Sequence, residues 1–337
     1  MMGKHGTDRW KETPRKKKAG KDSIMPNVTK ITSFILMGFS DVSELQTVCG
    51  LFFLVMYLAV IMSNFLIITL VTLDLKLKTP MYFFLKNLSL LDIFFISVSI
   101  PNFFINSITH TNSISILGCA LQVFLMTTFT SGEGCILTAM SYDRYIAICS
   151  PLHYETIMCS GNCVLMVGVS WSTGVLLGVL YTAGIFSMPF CGSRVIPQFF
   201  CDIPSLLKIS CSDKLLVIYI SLGIGFCLGM SFFICVVISY CYIFSTVLKI
   251  PTTKGQSKAF ATCLPHIIVF STFIATACFV YLKPSSEEPS ASDRLFSVLH
   301  TVLPPALNPV IYSLRNTDIK CALRRLQNNL FPRSSLT

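Results

Sequence analysis

Seven long apolar stretches, separated by short polar segments, fill the chain between residues 48 and 314. They are Val48–Leu73, Met81–Ile105, Leu117–Ile146, Val164–Ser187, Leu215–Leu248, Ala259–Leu282 and Leu295–Leu314. A bilayer core about 30 Å thick needs roughly 20 apolar residues per helix, and each stretch is long enough. Because the stretches are continuous and lack the two-residue alternation of outer-membrane strands, they predict helices. We therefore expect an all-α membrane protein, a seven-transmembrane helix bundle.

A different pattern follows the last apolar stretch. Four apolar residues fall on one face of a helix and three basic residues on the other: Ile319, Leu323, Leu326, Leu330, and Lys320, Arg324, Arg325. This predicts a short amphipathic C-terminal surface helix that contacts membrane lipid. The domain organisation is then an N-terminal tail (1–46), the seven-helix domain (47–314) and a C-terminal tail (315–337).

Composition agrees with a membrane protein. The chain is 53% hydrophobic and only 12% charged, with a mean hydropathy of +0.69, which excludes an ordinary soluble domain. Most of the lysine and arginine residues near the helices lie after the first, third and fifth stretches and in the C-terminal tail. By the positive-inside rule, this multi-pass protein has a cytoplasmic C-terminus and an N-terminus on the outer side.

The first 24 residues stand apart from the rest. They carry eight basic and three acidic residues but no apolar core, so they are not a cleavable signal peptide. Most of these charges lie more than about 20 positions from the first span, where the positive-inside rule weakens. We predict a disordered extension. The sequon Asn27-Val28-Thr29 follows and predicts glycosylation of Asn27 outside the cell.

Two acidic residues lie inside predicted spans, Asp92 in the second and Glu133 in the third. A carboxylate inside a membrane is costly unless it is protonated, paired or hydrated, and no lysine or arginine lies at similar depth. Two acids without a base indicate a cation or a shared proton between them. The alternative is a pair of protonated carboxyls that hydrogen-bond between helices. Glu133 and Arg144 are separated by three helical turns, so they point roughly the same way.

Three segments carry specific motifs. Residues 140–149 read MSYDRYIAIC, followed by PLHY at 151–154; residues 258–266 read KAFATCLPH; and residues 304–316 read PPALNPVIYSLRN. Together they resemble the olfactory receptors, a branch of the rhodopsin-like (class A) G-protein-coupled receptors, over roughly residues 25–330. An arginine at a helix end that simply snorkels to the interface is the alternative for Arg144.

The resemblance implies functional roles for polar residues along the bundle. A G-protein switch is implied at Asp143, Arg144, Tyr145, Tyr240, His266, Asn308, Pro309 and Tyr312. A sodium pocket is implied at Asp92 and Glu133, with Asn64 and Asn308 beside them. We expect no other metal and no other cofactor. Pro265 should kink the sixth span and provide a hinge.

Four of the fifteen cysteines lie on the predicted outer side, at the start of the third span or in the loop after the fourth: Cys119, Cys191, Cys201 and Cys211. Four cysteines allow three pairings, and spacing alone does not choose among them. The resemblance around Phe199–Asp202 implies a disulfide between Cys119 and Cys201, and Cys191 would then pair with Cys211. Zinc is the rival interpretation, but neither histidine nor CxxC spacing accompanies these cysteines.

The outer halves of the spans offer no formal charge to a ligand. The candidate ligand-binding residues are Met126, Thr127, Thr130, Ser131, Ile203, Ile224, Leu228, Ala277, Cys278, Tyr281, Val298 and Thr301. Such a cavity fits a small, neutral, largely apolar molecule, bound with modest affinity. Most relatives read Phe-Tyr-Gly where this chain has Phe273-Ile274-Ala275, so a hydroxyl is missing from the pocket floor.

We therefore expect an odorant receptor that binds a volatile ligand and activates a stimulatory, olfactory-type heterotrimeric G protein, raising cyclic AMP. The alternative is a multi-span transporter or channel, but the chain lacks the inverted repeats and matched broken helices of transporters. An enzyme is not expected, because no histidine lies beside a candidate nucleophile. Nucleic acid is not an expected partner.

Overall fold

The computed structural model describes residues 32–38, 42–190, 193–210, 216–281 and 291–330. Within these residues the chain forms ten α-helices and three short strands. The helices are α1 (Ser43–Leu73), α2 (Pro80–Thr109), α3 (Ile116–Cys149), α4 (Tyr154–Ile157), α5 (Ser160–Phe186), α6 (Ile203–Ile209), α7 (Leu216–Leu248), α8 (Thr253–Tyr281), α9 (Ala291–Arg315) and α10 (Thr317–Leu330). The strands are β1 (Ser33–Leu36), β2 (Ser113–Ser115) and β3 (Val195–Ile196).

The seven long helices, α1, α2, α3, α5, α7, α8 and α9, correspond to the seven predicted spans and form a seven-transmembrane bundle. Six of them are long and apolar enough to cross a membrane by length and composition alone, within the described residues. The exception is α9, which contains three prolines and many polar residues. Its polar side chains face other helices, as the buried His300, Thr301 and Asn308 show.

Helix ends reflect local sequence. Pro80 occupies the first turn of α2, where its missing N–H costs no hydrogen bond. The Ser115 hydroxyl accepts a hydrogen bond from the backbone N–H of Gly118 and caps α3. Several helices begin earlier than the apolar stretches do, because the backbone hydrogen-bond pattern continues past the hydrocarbon region. The clearest case is α8, which begins at Thr253 although the predicted span begins at Ala259.

α3 is the central helix of the bundle, packing against α2, α5, α7 and α8. Its crossing with α5 is very close because two glycines face it. A Cβ atom at Gly174 would overlap the carbonyl oxygen of Thr128, and one at Gly178 would lie 2.8 Å from the carbonyl oxygen of Phe124. Small residues of this kind let two membrane helices bring their backbones together.

A small sheet covers one end of the bundle. β1 pairs in antiparallel fashion with β2 and in parallel fashion with β3, so the order is β2-β1-β3. The side chain of Phe34 in β1 is fully buried and packs edge-on against Phe190. A disulfide between Cys119 and Cys201 lies in the same apolar cluster and ties this region to the start of α3. We call this the disulfide end.

The opposite end carries α10, and we call it the α10 end. The carboxamide oxygen of Asn316 accepts hydrogen bonds from the backbone N–H groups of Asp318 and Ile319, which begins α10. Ile319 and Ala322 are buried against the main core, while Lys320 and Arg324 are exposed. The Tyr82 hydroxyl lies within hydrogen-bond distance of both Asn316 and Asp318, so it fastens α10 to α2.

Candidate functional site

The Asp143–Arg144 pair lies at the α10 end of α3. The Asp143 side chain is fully buried, and its Oδ2 accepts a hydrogen bond from Nε of Arg144 at 2.9 Å. Its other oxygen, Oδ1, accepts a hydrogen bond from the hydroxyl of Tyr154 at 2.8 Å. Tyr154 begins the short helix α4, outside the bundle proper. Burial, and then the charge of Asp143, raises the pKa of the Tyr154 hydroxyl, which therefore stays a donor.

His266 connects three helices beside this pair. Its Nε2 lies 2.8 Å from the carbonyl oxygen of Leu137 in α3, and its Nδ1 lies 2.8 Å from the hydroxyl of Tyr240 in α7. A carbonyl oxygen only accepts, so Nε2 of the neutral ring carries the hydrogen, and Nδ1 accepts from Tyr240. The ring therefore holds α8 to both α3 and α7. Pro265 immediately precedes it in α8.

The charge of Arg144 acts on tyrosines of three other helices. It interacts electrostatically with Tyr82 from α2, Tyr240 from α7 and Tyr312 from α9. The Tyr312 hydroxyl is buried and lacks a hydrogen-bond partner within the described residues. These groups are acceptors for a guanidinium that leaves Asp143.

Two further candidate switch residues, Tyr145 and Pro309, are placed differently. Tyr145 points elsewhere, with its ring 5.8 Å from that of Tyr242. Pro309 lies inside α9, three residues before Tyr312. Its ring removes a backbone donor from α9 at that point, because proline has no N–H.

Two buried acids meet halfway along the bundle. The Asn308 side-chain nitrogen donates to both Asp92 oxygens, at 3.1 and 3.0 Å, and lies 3.4 Å from Oε1 of Glu133. Asn64 donates to the carbonyl oxygen of Pro305 at 3.0 Å, so α1 joins the same region. The side-chain oxygens of Asn64 and Asn308 are buried without a partner in the described part of the chain.

These groups fit a hard monovalent cation. Carboxylate and amide oxygens are the ligands that such ions prefer, and two of the oxygens have unused lone pairs. The part of the chain that the structure describes contains no group of three or more His, Cys, Asp or Glu side chains that could hold a metal ion.

The candidate ligand-binding residues fall into three groups. Met126, Val298, Ile203 and Leu228 belong to or border the apolar clusters near the disulfide end, and Thr301 is fully buried. Thr127, Thr130, Ser131 and Ala277 are partly buried on α3 and α8. Ile224 and Cys278 are exposed on their helices, so the structure does not bring them into these clusters. The side chain of Tyr281 lies outside the described residues, as do Asn27, Cys191 and Cys211.

Three polar contacts in this half were not identified from the sequence. The Gln122 side chain donates to the carbonyl oxygen of Val98 at 3.1 Å and accepts from the backbone N–H of Cys201 at 2.8 Å. His300 Nδ1 lies 3.2 Å from the hydroxyl of Thr276, joining α9 to α8. At the α10 end, the missed residue is Tyr154. Its presence in the PLHY motif was the one available signal, since no helical period relates a loop residue to Asp143.

Comparison with known proteins decides the family. A family model described as olfactory receptor matches residues 53–329. The chain belongs to the olfactory receptor family. It is 68% identical over 302 residues to human olfactory receptor 14A2, covering 90% of this chain and 96% of that receptor. Human olfactory receptor 14A16 is 52% identical over 306 residues, covering 90% of this chain and 97% of the relative.

The fold of this olfactory receptor matches that of rhodopsin. The crystal structure of squid rhodopsin aligns with a TM-score of 0.67 over 86% of this chain and 87% of that chain, at 17% sequence identity. Because olfactory receptors are a branch of the class A G-protein-coupled receptors, the protein is a multi-pass receptor of that class rather than an enzyme. Membership of the olfactory receptor family implies an odorant as ligand and a G protein as partner.

Proposed function

We propose that this receptor binds a small, neutral, largely apolar volatile ligand in the half of the bundle nearer the disulfide end. Ligand binding shifts a pre-existing equilibrium toward a state in which Asp143 releases Arg144. The observation that carries the proposal is the buried Asp143 carboxylate, held by Arg144 and Tyr154 at the far end of α3. The helix that lines the ligand half therefore also carries the switch.

The chemistry of the ligand half supports a neutral ligand. None of the described candidate residues there is charged, and the polar ones are hydroxyls on Thr127, Thr130, Ser131 and Thr301. A charged ligand would leave its charge unpaired in this environment, which is costly. An apolar molecule can pack against the apolar side chains of this half, and its one hydrogen-bonding group can pair with a hydroxyl.

The motion that follows is an outward swing of α8. His266 holds α8 to α3 and α7 while Arg144 is paired, so it must give up the Leu137 carbonyl when α8 moves. The Tyr240 hydroxyl is then free to accept from Arg144. Pro265 supplies the hinge, because it removes a backbone hydrogen bond within α8.

The receptor lies in the plasma membrane with the α10 end in the cytoplasm and the glycosylated N-terminal tail outside. The excess of basic residues in the loops at the α10 end supports this orientation. The opening left by α8 receives a stimulatory, olfactory-type heterotrimeric G protein, which raises cyclic AMP. A sodium ion between Asp92 and Glu133 acts as an allosteric cofactor.

Transfected cells with a cyclic AMP reporter test the proposal against a panel of volatile compounds. We expect at least one neutral, apolar compound to raise cyclic AMP. Arg144→Gln should abolish that response at matched surface display, while Arg324→Gln, an exposed arginine on α10, should keep it. A full response from Arg144→Gln would contradict the switch. Ligand-dependent ion flux through the purified protein would instead favour a channel.

A further inference from the structure

Four exposed cations surround the joint between α10 and the loop of residues 74–79. They are Lys76, Lys78, Lys320 and Arg324. The joint itself is an ion pair between Asp74 and Arg325, with Nε of Arg325 2.8 Å from Oδ2 of Asp74. The turn Leu75–Leu77 also packs against α10. The loop and α10 are therefore held together, and each carries two of the four cations.

The acidic residues of this surface already have partners. Asp74 accepts the backbone N–H of Lys76 at 2.9 Å and the Arg325 guanidinium, and these bonds hold the pKa of Asp74 below its usual range. Asp318 accepts from the Tyr82 hydroxyl at 3.0 Å. Within the described part of the chain, none of the four exposed cations forms an ion pair. With Arg325 paired to Asp74, the four exposed cations outnumber Asp318, the remaining acid here, and the surface is net positive.

Exposed leucines place these cations at the depth of lipid headgroups. Leu73 and Leu75 come just before Lys76, and 64% and 74% of their side chains are exposed. Leu323, which is also exposed, lies between Lys320 and Arg324 on α10. Leucines next to basic residues at the end of a membrane helix lie at the interface, with the leucine in hydrocarbon and the cation among the phosphates.

We propose that the loop of residues 74–79 and α10 together form one binding site for the polyphosphorylated headgroup of a membrane lipid. A headgroup with several phosphates reaches both pairs of cations at once, whereas a lipid with one phosphate reaches only one pair. Each basic residue near such a headgroup contributes roughly fivefold in affinity. The site is separate from odorant binding and depends only on the membrane placement of the α10 end.

Native mass spectrometry of the purified full chain tests the site with phosphatidylinositol 4,5-bisphosphate as probe and phosphatidylserine as competitor. We expect one bisphosphate lipid to bind and to resist a tenfold excess of phosphatidylserine. Lys76→Gln with Lys78→Gln should weaken binding at least tenfold. The matched control, Lys254→Gln with Lys258→Gln, removes two exposed lysines from the start of α8 and should leave binding unchanged. Equal weakening by both pairs would overturn the proposal.

A second variant distinguishes a site with a defined geometry from non-specific attraction of anionic lipids by positive charge. Asp74→Asn with Arg325→Gln leaves the net charge and all four exposed cations unchanged but breaks the joint. If the ion pair holds the site in its binding geometry, this variant should bind the lipid at least fivefold more weakly. Wild-type affinity would overturn the proposal. Free inositol 1,4,5-trisphosphate that binds as tightly as the lipid would overturn the assignment to a membrane lipid. The odorant response of each variant is measured separately, so the two proposals fail independently.

Discussion

Asp143 is held by two partners rather than one, and this changes how the switch is tuned. Arg144 occupies one carboxylate oxygen and the Tyr154 hydroxyl the other, so the carboxylate is satisfied while it is buried. Removing a donor from a buried charged acceptor is costly. The closed state, in which Asp143 is paired with Arg144, therefore depends on Tyr154, which lies outside the seven long helices.

Tyr154→Phe should raise the basal activity of the receptor, because the closed state loses a hydrogen bond to a charged group while the open state does not. We expect roughly threefold higher basal cyclic AMP at matched surface display. Tyr142→Phe is the control, since Tyr142 is exposed and contacts a neighbouring ring instead. Unchanged basal activity in Tyr154→Phe, with elevated activity in Asp143→Asn, would show that Tyr154 does not stabilise the closed state.

Asp202, next to the disulfide, should make the stability of the receptor depend on pH. Burial raises the pKa of its carboxyl to about 6, above the ordinary value of 3.8, and Oδ1 has no hydrogen-bond partner within the described residues. The folded state therefore favours the protonated form. Its contribution to stability is lost as pH rises through 6 and is regained as pH falls toward 4.

Asp202→Asn should raise the melting temperature of the purified receptor at pH 7.5, because the buried charge is removed, and should change it little at pH 5. We expect a difference of about 2 °C between the two conditions. The same increase at both pH values would mean that the carboxyl does not titrate in this range.

The sequence identified some of the polar residues that connect helices and missed others. Asp92, Glu133 and Asn308 drew attention because charged and amide groups are rare in apolar spans, and the structure brings all three together. The sequence did not identify Tyr154, Gln122 and His300 as important. Their roles depend on their hydrogen-bond partners, which the sequence pattern does not reveal. No helical period connects Gln122 with Cys201 or His300 with Thr276.

At the scale of elements, the crossing of α3 and α5 depends on the absence of side chains. Gly174→Ala should lower the melting temperature by several degrees, because the new methyl group would overlap the Thr128 carbonyl and push the helices apart. Gly168→Ala on the same helix is the control. No atom lies near its Cβ, and alanine favours a helix over glycine by about 1 kcal/mol, so we expect no loss or a small gain. Equal losses would indicate that glycine content, not the crossing, matters.

The apolar pattern predicted the seven long helices well but missed the sheet. A membrane span has a long, uniform signal, whereas β1 is only four residues and β3 two. Such strands are determined by pairing with segments far away in the chain, as in the pairing of Ile35 with both Ser113 and Val195. Predicted span ends were also a few residues short, since hydropathy ends where the hydrocarbon does and helices continue beyond it.

At the scale of the whole molecule, the acids halfway along the bundle connect α2, α3 and α9. A bound sodium ion should stabilise the closed receptor, since a ligand of the folded state shifts unfolding to higher temperature. We expect the wild-type protein to melt about 2 °C higher in sodium chloride than in potassium chloride at equal ionic strength.

Glu133→Gln should remove that difference, while Glu155→Gln, which changes an exposed carboxylate, should keep it. Identical melting in both salts for the wild type would favour the alternative, in which two protonated carboxyls hydrogen-bond through Asn308 and no ion takes part.

The buried strand β1 also has a practical consequence for protein engineering. Phe34 and Leu36, which come before the first long helix, fill the apolar cluster that forms the roof of the molecule at the disulfide end. A reporter peptide joined ahead of Thr32 keeps that roof intact. A chimera whose splice point falls between Phe34 and Ser43 would replace it with foreign residues, and the odorant profile of such a hybrid would belong partly to the donor.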